Sequence, residues 1–139
     1  MPKLPIVNPK NGVAASLACP ATVTVNKMPP IPDRLPAYVH VTAILKNTTR
    51  SDFTLQAPTP CDVSFWEVFD SNDDLIQSEP HGICPQHVVD TKLPAGQSIR
   101  SDNVLTLNGK LLEDGEKYTI KYKFWGYPSE ASFSVEVVQ

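Results

Sequence analysis

The sequence predicts an all-β protein, an antiparallel β-sandwich of about eight short strands behind a Pro-rich N-terminal arm. Three observations predict it. Apolar residues alternate with polar ones in short runs, best seen at residues 38–46 and 117–125. The 14 Pro are spread over much of the 139-residue chain, which argues against long helices and suits turns and sheet edges. A turn built on Asp114 and Gly115 leads into a strand whose first aromatic is Tyr118. Gly115 permits a left-handed backbone, and the Tyr hydroxyl can bond back to the loop, as at the tyrosine corner of an immunoglobulin-like sandwich.

The elements follow in order. Residues 1–20 are Pro- and Asn-rich and read as an irregular arm, with an edge strand possible at 13–18. The sandwich domain is expected to span 21–139. Residues 21–25 alternate and are β-branched, so they form a strand. Pro29, Pro30, Pro32 and Pro36 make an extended linker. The strand at 38–46 places Val39, Val41, Ala43 and Leu45 on one face. A polar turn at 47–51 precedes a short strand at 53–55, which Pro58 and Pro60 break.

In the next strand, 61–69, Val63, Phe65, Glu67 and Phe69 share a face. Trp66 then falls on the opposite face, partly exposed or capped by the arm. An Asp-rich hairpin turn at 70–74 leads to a return strand at 75–77. Residues 80–85 form a loop, 88–93 a strand and 94–98 a tight turn. A strand at 99–107 packs Val104, Leu105 and Leu107. After the corner, 117–125 places Tyr118, Ile120, Tyr122 and Phe124 on one face. A turn at 126–129 leads to the last strand, 131–138.

Composition bounds the function. Hydrophobic content is 41% and charged content 19%, ordinary for a globular chain of one domain. A net charge of −3 offers no basic surface to grip nucleic acid. No run of about 18 apolar residues is present to span a membrane. Residues 1–5 lack the apolar stretch of a signal peptide, so the expected compartment is cytoplasmic. Secretion or a periplasmic location, with a signal removed, is the alternative. The three Cys are an odd count, which argues against a dedicated disulfide framework. They are either buried thiols in a reducing compartment or include one pair, Cys61 with Cys84.

Residues 41–49, 62–74, 93–96 and 112–120 resemble the intracellular proteinase inhibitor family of the BsuPI type. The shared pattern is a strand with a small-residue turn, an aromatic-rich strand ending in an Asp hairpin, a Leu-x-x-Gly turn and a Gly-x-x-Tyr corner. The resemblance covers roughly residues 38–126 and implies an immunoglobulin-like inhibitor that blocks a protease with its loops. The chain departs from the family in lacking a Trp in Leu75, Ile76 and Gln77, and in carrying a Cys/His loop. Phe124, Trp125, Gly126, Tyr127 and Pro128 also resemble the aromatic loop of chagasin-type cysteine-peptidase inhibitors. Asn47, Thr48 and Thr49 echo another loop of that family.

His81, Cys84 and His87 could ligate copper or zinc, since a soft thiolate and two imidazoles lie within one loop. No axial Met follows His87, so a polar loop is the competing reading. Cys84 with a neighbouring His makes no catalytic dyad, because no strand–turn–helix presents the Cys. Asp70, Asp73 and Asp74 lack the Gly and closing Glu of a calcium loop. The chain is therefore expected to be non-enzymatic and to bind protein, with no resident cofactor. The candidate contacts are Thr48, Thr49, Arg50, Trp66, Trp125 and Tyr127. Two copies could also pair through an edge strand. The remaining reading is a structural domain of a larger assembly.

Overall fold

The computed structural model describes residues 12–28, 33–80 and 82–138. These form two facing sheets and a small ribbon. Strands β1 (Val13–Ala18), β4 (Ala37–Asn47) and β9 (Ser98–Leu107) make one sheet, in the order β1-β4-β9. The other sheet joins β2 (Thr22–Met28), β3 (Asp33–Arg34), β6 (Ser64–Phe69), β7 (Leu75–Ser78), β10 (Lys117–Phe124) and β11 (Tyr127–Val138). Its order is β3-β2-β11-β10-β6-β7. Strands β5 (Phe53–Ala57) and β8 (Val89–Leu93) pair as the ribbon.

The architecture is an immunoglobulin-like β-sandwich, with the β5–β8 ribbon paired apart from both sheets. The larger sheet is mixed: β2 lies parallel to β11, while the other pairs are antiparallel among the described residues.

The sandwich takes up part of the expected arm. Val13, Ala15 and Leu17 of β1 are buried in the core, because the apolar alternation of 13–18 matches the free edge of β4. The chain then crosses to the second sheet through Cys19 and Pro20. Residues 1–11 and 29–32, where the rest of the arm and part of the Pro linker fall, lie outside the described residues.

The core lies between the sheets. Val39, Val41 and Leu45 of β4 and Leu105 and Leu107 of β9 pack with Val68, Ile120, Tyr122, Phe133 and Val135 opposite. Tyr118 and Phe133 stack with ring centroids 5.7 Å apart. Val104 does not join them; it sits on the outer face and is exposed.

Trp66 is the main reversal. It is 7% exposed and points into the core beside Val68. In β6 both faces carry aromatics, so hydrophobicity alone does not choose the inward one. The neighbouring strand does: Trp66 and Val68 stand opposite Tyr122 and Ile120 of β10, and Phe65, Glu67 and Phe69 turn away from the core.

The corner forms as its residues imply. Gly115 has φ 81°. The backbone N–H of Glu113 donates to the Tyr118 hydroxyl at 2.8 Å, and that hydroxyl reaches the Leu111 carbonyl at 3.5 Å. Asp114 Oδ1 accepts from the Val137 N–H at 2.8 Å, tying the corner to the last strand. Burial pushes the Tyr118 phenol above its ordinary pKa. Beside the corner, Arg34 donates to the carbonyls of Leu112 and Gly109. The Asp70 hairpin is likewise self-bonded: Asp70 Oδ1 accepts from the N–H groups of Asn72 and Asp74, each at 2.9 Å.

Candidate functional site

The corner and the end of β9 at Leu107 define one end of the sandwich. The opposite end gathers what those strands have at their other termini. Ser98 begins β9 there, Lys46 pairs with it at the end of β4, and Phe124 closes β10. Three loops therefore share this second end: residues 48–52, the turn 94–97 and the turn between β10 and β11.

Asn47 builds the first loop. The residues Val39, Val41, Ala43 and Leu45 point inward, and the same two-residue period carries Asn47 inward after them, 0% exposed. Its amide donates to the carbonyls of Ser51 at 2.7 Å and Leu93 at 2.9 Å. Its Oδ1 accepts from the Thr49 N–H at 2.9 Å and the Thr49 hydroxyl at 2.7 Å. Both donors and both acceptor positions of the side chain are thus used. The Thr48 hydroxyl donates to the Gly12 carbonyl at 2.8 Å. Arg50 is left exposed at the loop tip. Asp52 accepts from the Ala95 N–H at 2.9 Å, which pins the neighbouring turn to the same frame. Asn47 was not among the candidate residues, although the parity of its strand pointed to it.

Trp125 and Gly126 form a two-residue turn closed by the Phe124–Tyr127 pair. Their φ values are 53° and 84°, the pattern of a type I′ hairpin. Gly126 adopts it freely; a bulky residue such as Trp125 does so only under strain. The Trp125 N–H donates to the Val63 carbonyl at 2.7 Å, which locks the turn to the entrance of β6. The side chains of Trp125 and Tyr127 are half-buried against the edge of the core. Pro128, expected in the turn, is instead within β11 opposite Lys123. It is tolerated because β2 flanks β11 only from Ser134 onward, so the missing N–H removes no ladder bond on that side.

The ribbon links the two loops. Phe53 of β5 lies where Gly12 and Thr49 meet, and Ala57 and Gly126 line one groove. Below Ala57 is an open groove of about 470 Å³, lined by Pro58, Cys61, Asp62, Phe65, Lys123 and Gly126 among others.

Cys61 and Cys84 form a disulfide. It joins the 3₁₀ turn Pro60–Asp62 at the groove wall to the loop between β7 and β8. Of the two readings of the cysteines, pairing is the one realised for these two. The metal reading fails with it: a disulfide sulfur is no thiolate ligand. His87 is exposed, and His81 lies outside the described residues. Cys19 remains a free thiol, half-buried, and burial raises its pKa.

The structure thus brings Thr48, Thr49, Arg50, Trp125 and Tyr127 to one end. Trp66 is not with them. It sits inside the sandwich, beneath a second groove between Ser64, Pro80 and Asn103.

No family model matches the chain, and no curated protein matches it. Among solved structures, a conserved hypothetical protein from Bacillus anthracis is similar, with 14% identity and a TM-score of 0.41. The match covers 87% of this chain and 88% of that one. A likeness at that level carries no argument about function.

Proposed function

We propose that this chain is a non-enzymatic protein-binding module, and specifically a proteinase inhibitor that binds with the loop end of its sandwich. The strained Trp125–Gly126 turn carries the reading. A bulky aromatic held at positive φ, where Asn or Gly would serve the fold better, is a local cost that a binding role explains. Aromatic anchors on rigid loops are the usual hot spots of interfaces. A protease–inhibitor interface covers roughly 800 Å² per partner. A single loop does not supply that area, so neighbouring loops at one end are a further support.

The Cys61–Cys84 disulfide supports an oxidising compartment rather than the cytoplasm expected from residues 1–5. Among the described residues no helix is long and apolar enough to cross a membrane. The test is a pull-down from the native cell extract with wild type and Trp125→Ala. A protease retained by wild type and lost by the variant is the expected result. A partner retained equally by both would sink the role given to the aromatic turn.

A second reading has its own observation. Among the described residues β1 ends its sheet, and it reads Val-Ala-Ala-Ser-Leu-Ala, without the charge or Pro that guards an edge. Two copies pairing along β1 would double the mass measured by light scattering. A monomer at micromolar concentration would exclude it.

A further inference from the structure

Among the described residues β9 also ends the β1-β4-β9 sheet, opposite β1. Its backbone shows which groups face the free side. The Gln97 carbonyl, just before β9, accepts from the Asn47 N–H at 2.9 Å. Odd-numbered residues of this strand therefore turn their backbone groups toward β4, and even-numbered ones turn theirs outward. Two bonds agree: the Gln77 side chain donates to the Thr106 carbonyl at 3.0 Å and accepts from the Asn108 N–H at 2.9 Å. Gln77 thus caps the edge at its far end. Among the described residues nothing bonds the outward N–H and C=O groups of Ser98, Arg100, Asp102 and Val104. Open backbone along a regular strand is a template for another strand. Past that edge lies the groove between Ser64, Trp66, Pro80 and Asn103, of about 350 Å³.

We infer that the strand added here is β9 of a second copy, antiparallel, with Ser101 on the twofold axis. Only outward-facing residues exchange bonds, so even-numbered residues must meet even-numbered ones. A centre at Arg100 sets Arg100 against itself. A centre at Asp102 sets Asp102 against itself and brings in Thr106, whose carbonyl Gln77 already holds. A centre at Ser101 avoids both faults. It runs from Ser98 to Val104, stops short of Thr106, and sets each Arg100 opposite the partner's Asp102. Both charges stand ready on the outer face: Arg100 Nη2 lies 3.0 Å from Asp102 Oδ1, to which the Thr42 hydroxyl donates at 2.6 Å. Exposed charges of this kind choose the register more than they supply affinity. Affinity comes from the backbone bonds and from Ile99, which is partly buried on the inner face. The partner's Ile99 stands opposite Asn103, at the mouth of the Trp66 groove. β1, the other edge, has no charges to set such a register. The pairing is independent of the inhibitor reading and joins two sheets into one of six strands.

The experiment measures the mass of the full oxidised chain by sedimentation over a range of concentrations. Wild type is compared with Asp102→Arg, with Arg100→Asp and with the double reversal Arg100→Asp/Asp102→Arg. Unfolding midpoints serve as folding controls, since both side chains are exposed. Wild type is expected to reach twice the chain mass. Each single reversal should raise the dimer dissociation constant about tenfold or more, because two symmetry-related pairs turn repulsive together. The double reversal should restore the dimer, since opposite charges face each other again. Ser101→Cys reads the register directly: on the axis it meets its own copy at a non-hydrogen-bonded pair, close enough for a disulfide. Mild oxidation should link that variant into dimers and leave wild type, with its Cys19, unlinked. A wild type that stays monomeric while Ser101→Cys fails to link overturns the pairing. A dimer that both single reversals leave intact, and that Ser101→Cys does not link, belongs to another edge and overturns it equally. Neither result touches the inhibitor reading.

Discussion

Trp125 concentrates the tension between folding and binding in one residue. A type I′ turn prefers Asn-Gly, and Asn tolerates positive φ far better than Trp. Trp125→Asn relieves backbone strain while removing the half-buried ring. If the residue serves binding, the variant should keep its unfolding midpoint within about 1 kcal/mol of wild type and lose the partner. A purely structural Trp would show the reverse, a clear drop in stability with binding intact. Asn47 is the opposite case, a polar residue needed by the fold. Asn47→Ala takes the amide donor from the Leu93 carbonyl at a buried site and the acceptor from the part-buried Thr49 N–H. The expected cost is about 2–4 kcal/mol in chemical denaturation, with faster hydrogen exchange at Thr49. Tyr118 adds a pH dependence. Its folded pKa is raised above the ordinary value of 10.0, chiefly by burial, so the fold holds the neutral phenol. That contribution is complete below pH about 10 and is lost as pH rises through the raised folded value. Tyr118→Phe should flatten the alkaline limb of a stability–pH curve, at a cost of about 1 kcal/mol at neutrality for the lost hydrogen bond.

Among the elements, the loop between β7 and β8 depends most on one bond. It has no strand pairing from Gly82 to Val88, and the disulfide spans 23 residues of sequence. Closing a loop of that size stabilises the folded chain by roughly 3 kcal/mol through the unfolded state. Reduction should therefore lower the denaturant midpoint accordingly, and Cys61→Ser/Cys84→Ser should match the reduced wild type. A midpoint indifferent to reductant would show that the bond contributes nothing. Strand β6 illustrates why local pattern alone misleads. With Phe65 and Phe69 on one side and Trp66 and Val68 on the other, either face could have been buried. The partner strand decided, since Trp66 and Val68 stand opposite Tyr122 and Ile120 of β10, whose inward face is unambiguous. The Tyr118 corner and the Asp70 hairpin were readable because their chemistry is local: each is completed within a few residues.

At the scale of the molecule, the sandwich closes by joining distant parts of the chain. β1 lies on β4, and β2 runs alongside the last strand, β11. Deleting residues 1–18 would remove Val13, Ala15 and Leu17 from the core. It should cost several kcal/mol, as large core truncations do. Loss of a cooperative thermal transition, or a fall in it of well over 10 °C, is the expected readout. A truncated chain as stable as wild type would mean that the domain begins after β1.

What the sequence alone determined was the class of fold, most of the strands, the inward faces of β4 and β10, and the tyrosine corner. These follow from alternation, turn residues and backbone chemistry, which act over a few residues. Only the tertiary structure decided that β1 belongs to the core, that Trp66 faces inward, that Cys61 bonds Cys84, and that the 48–51 loop and the Trp125 turn share one end. Each of those is a meeting of segments far apart in the chain. No local spacing encodes such a meeting; it exists only once both sheets have buried their apolar faces against each other.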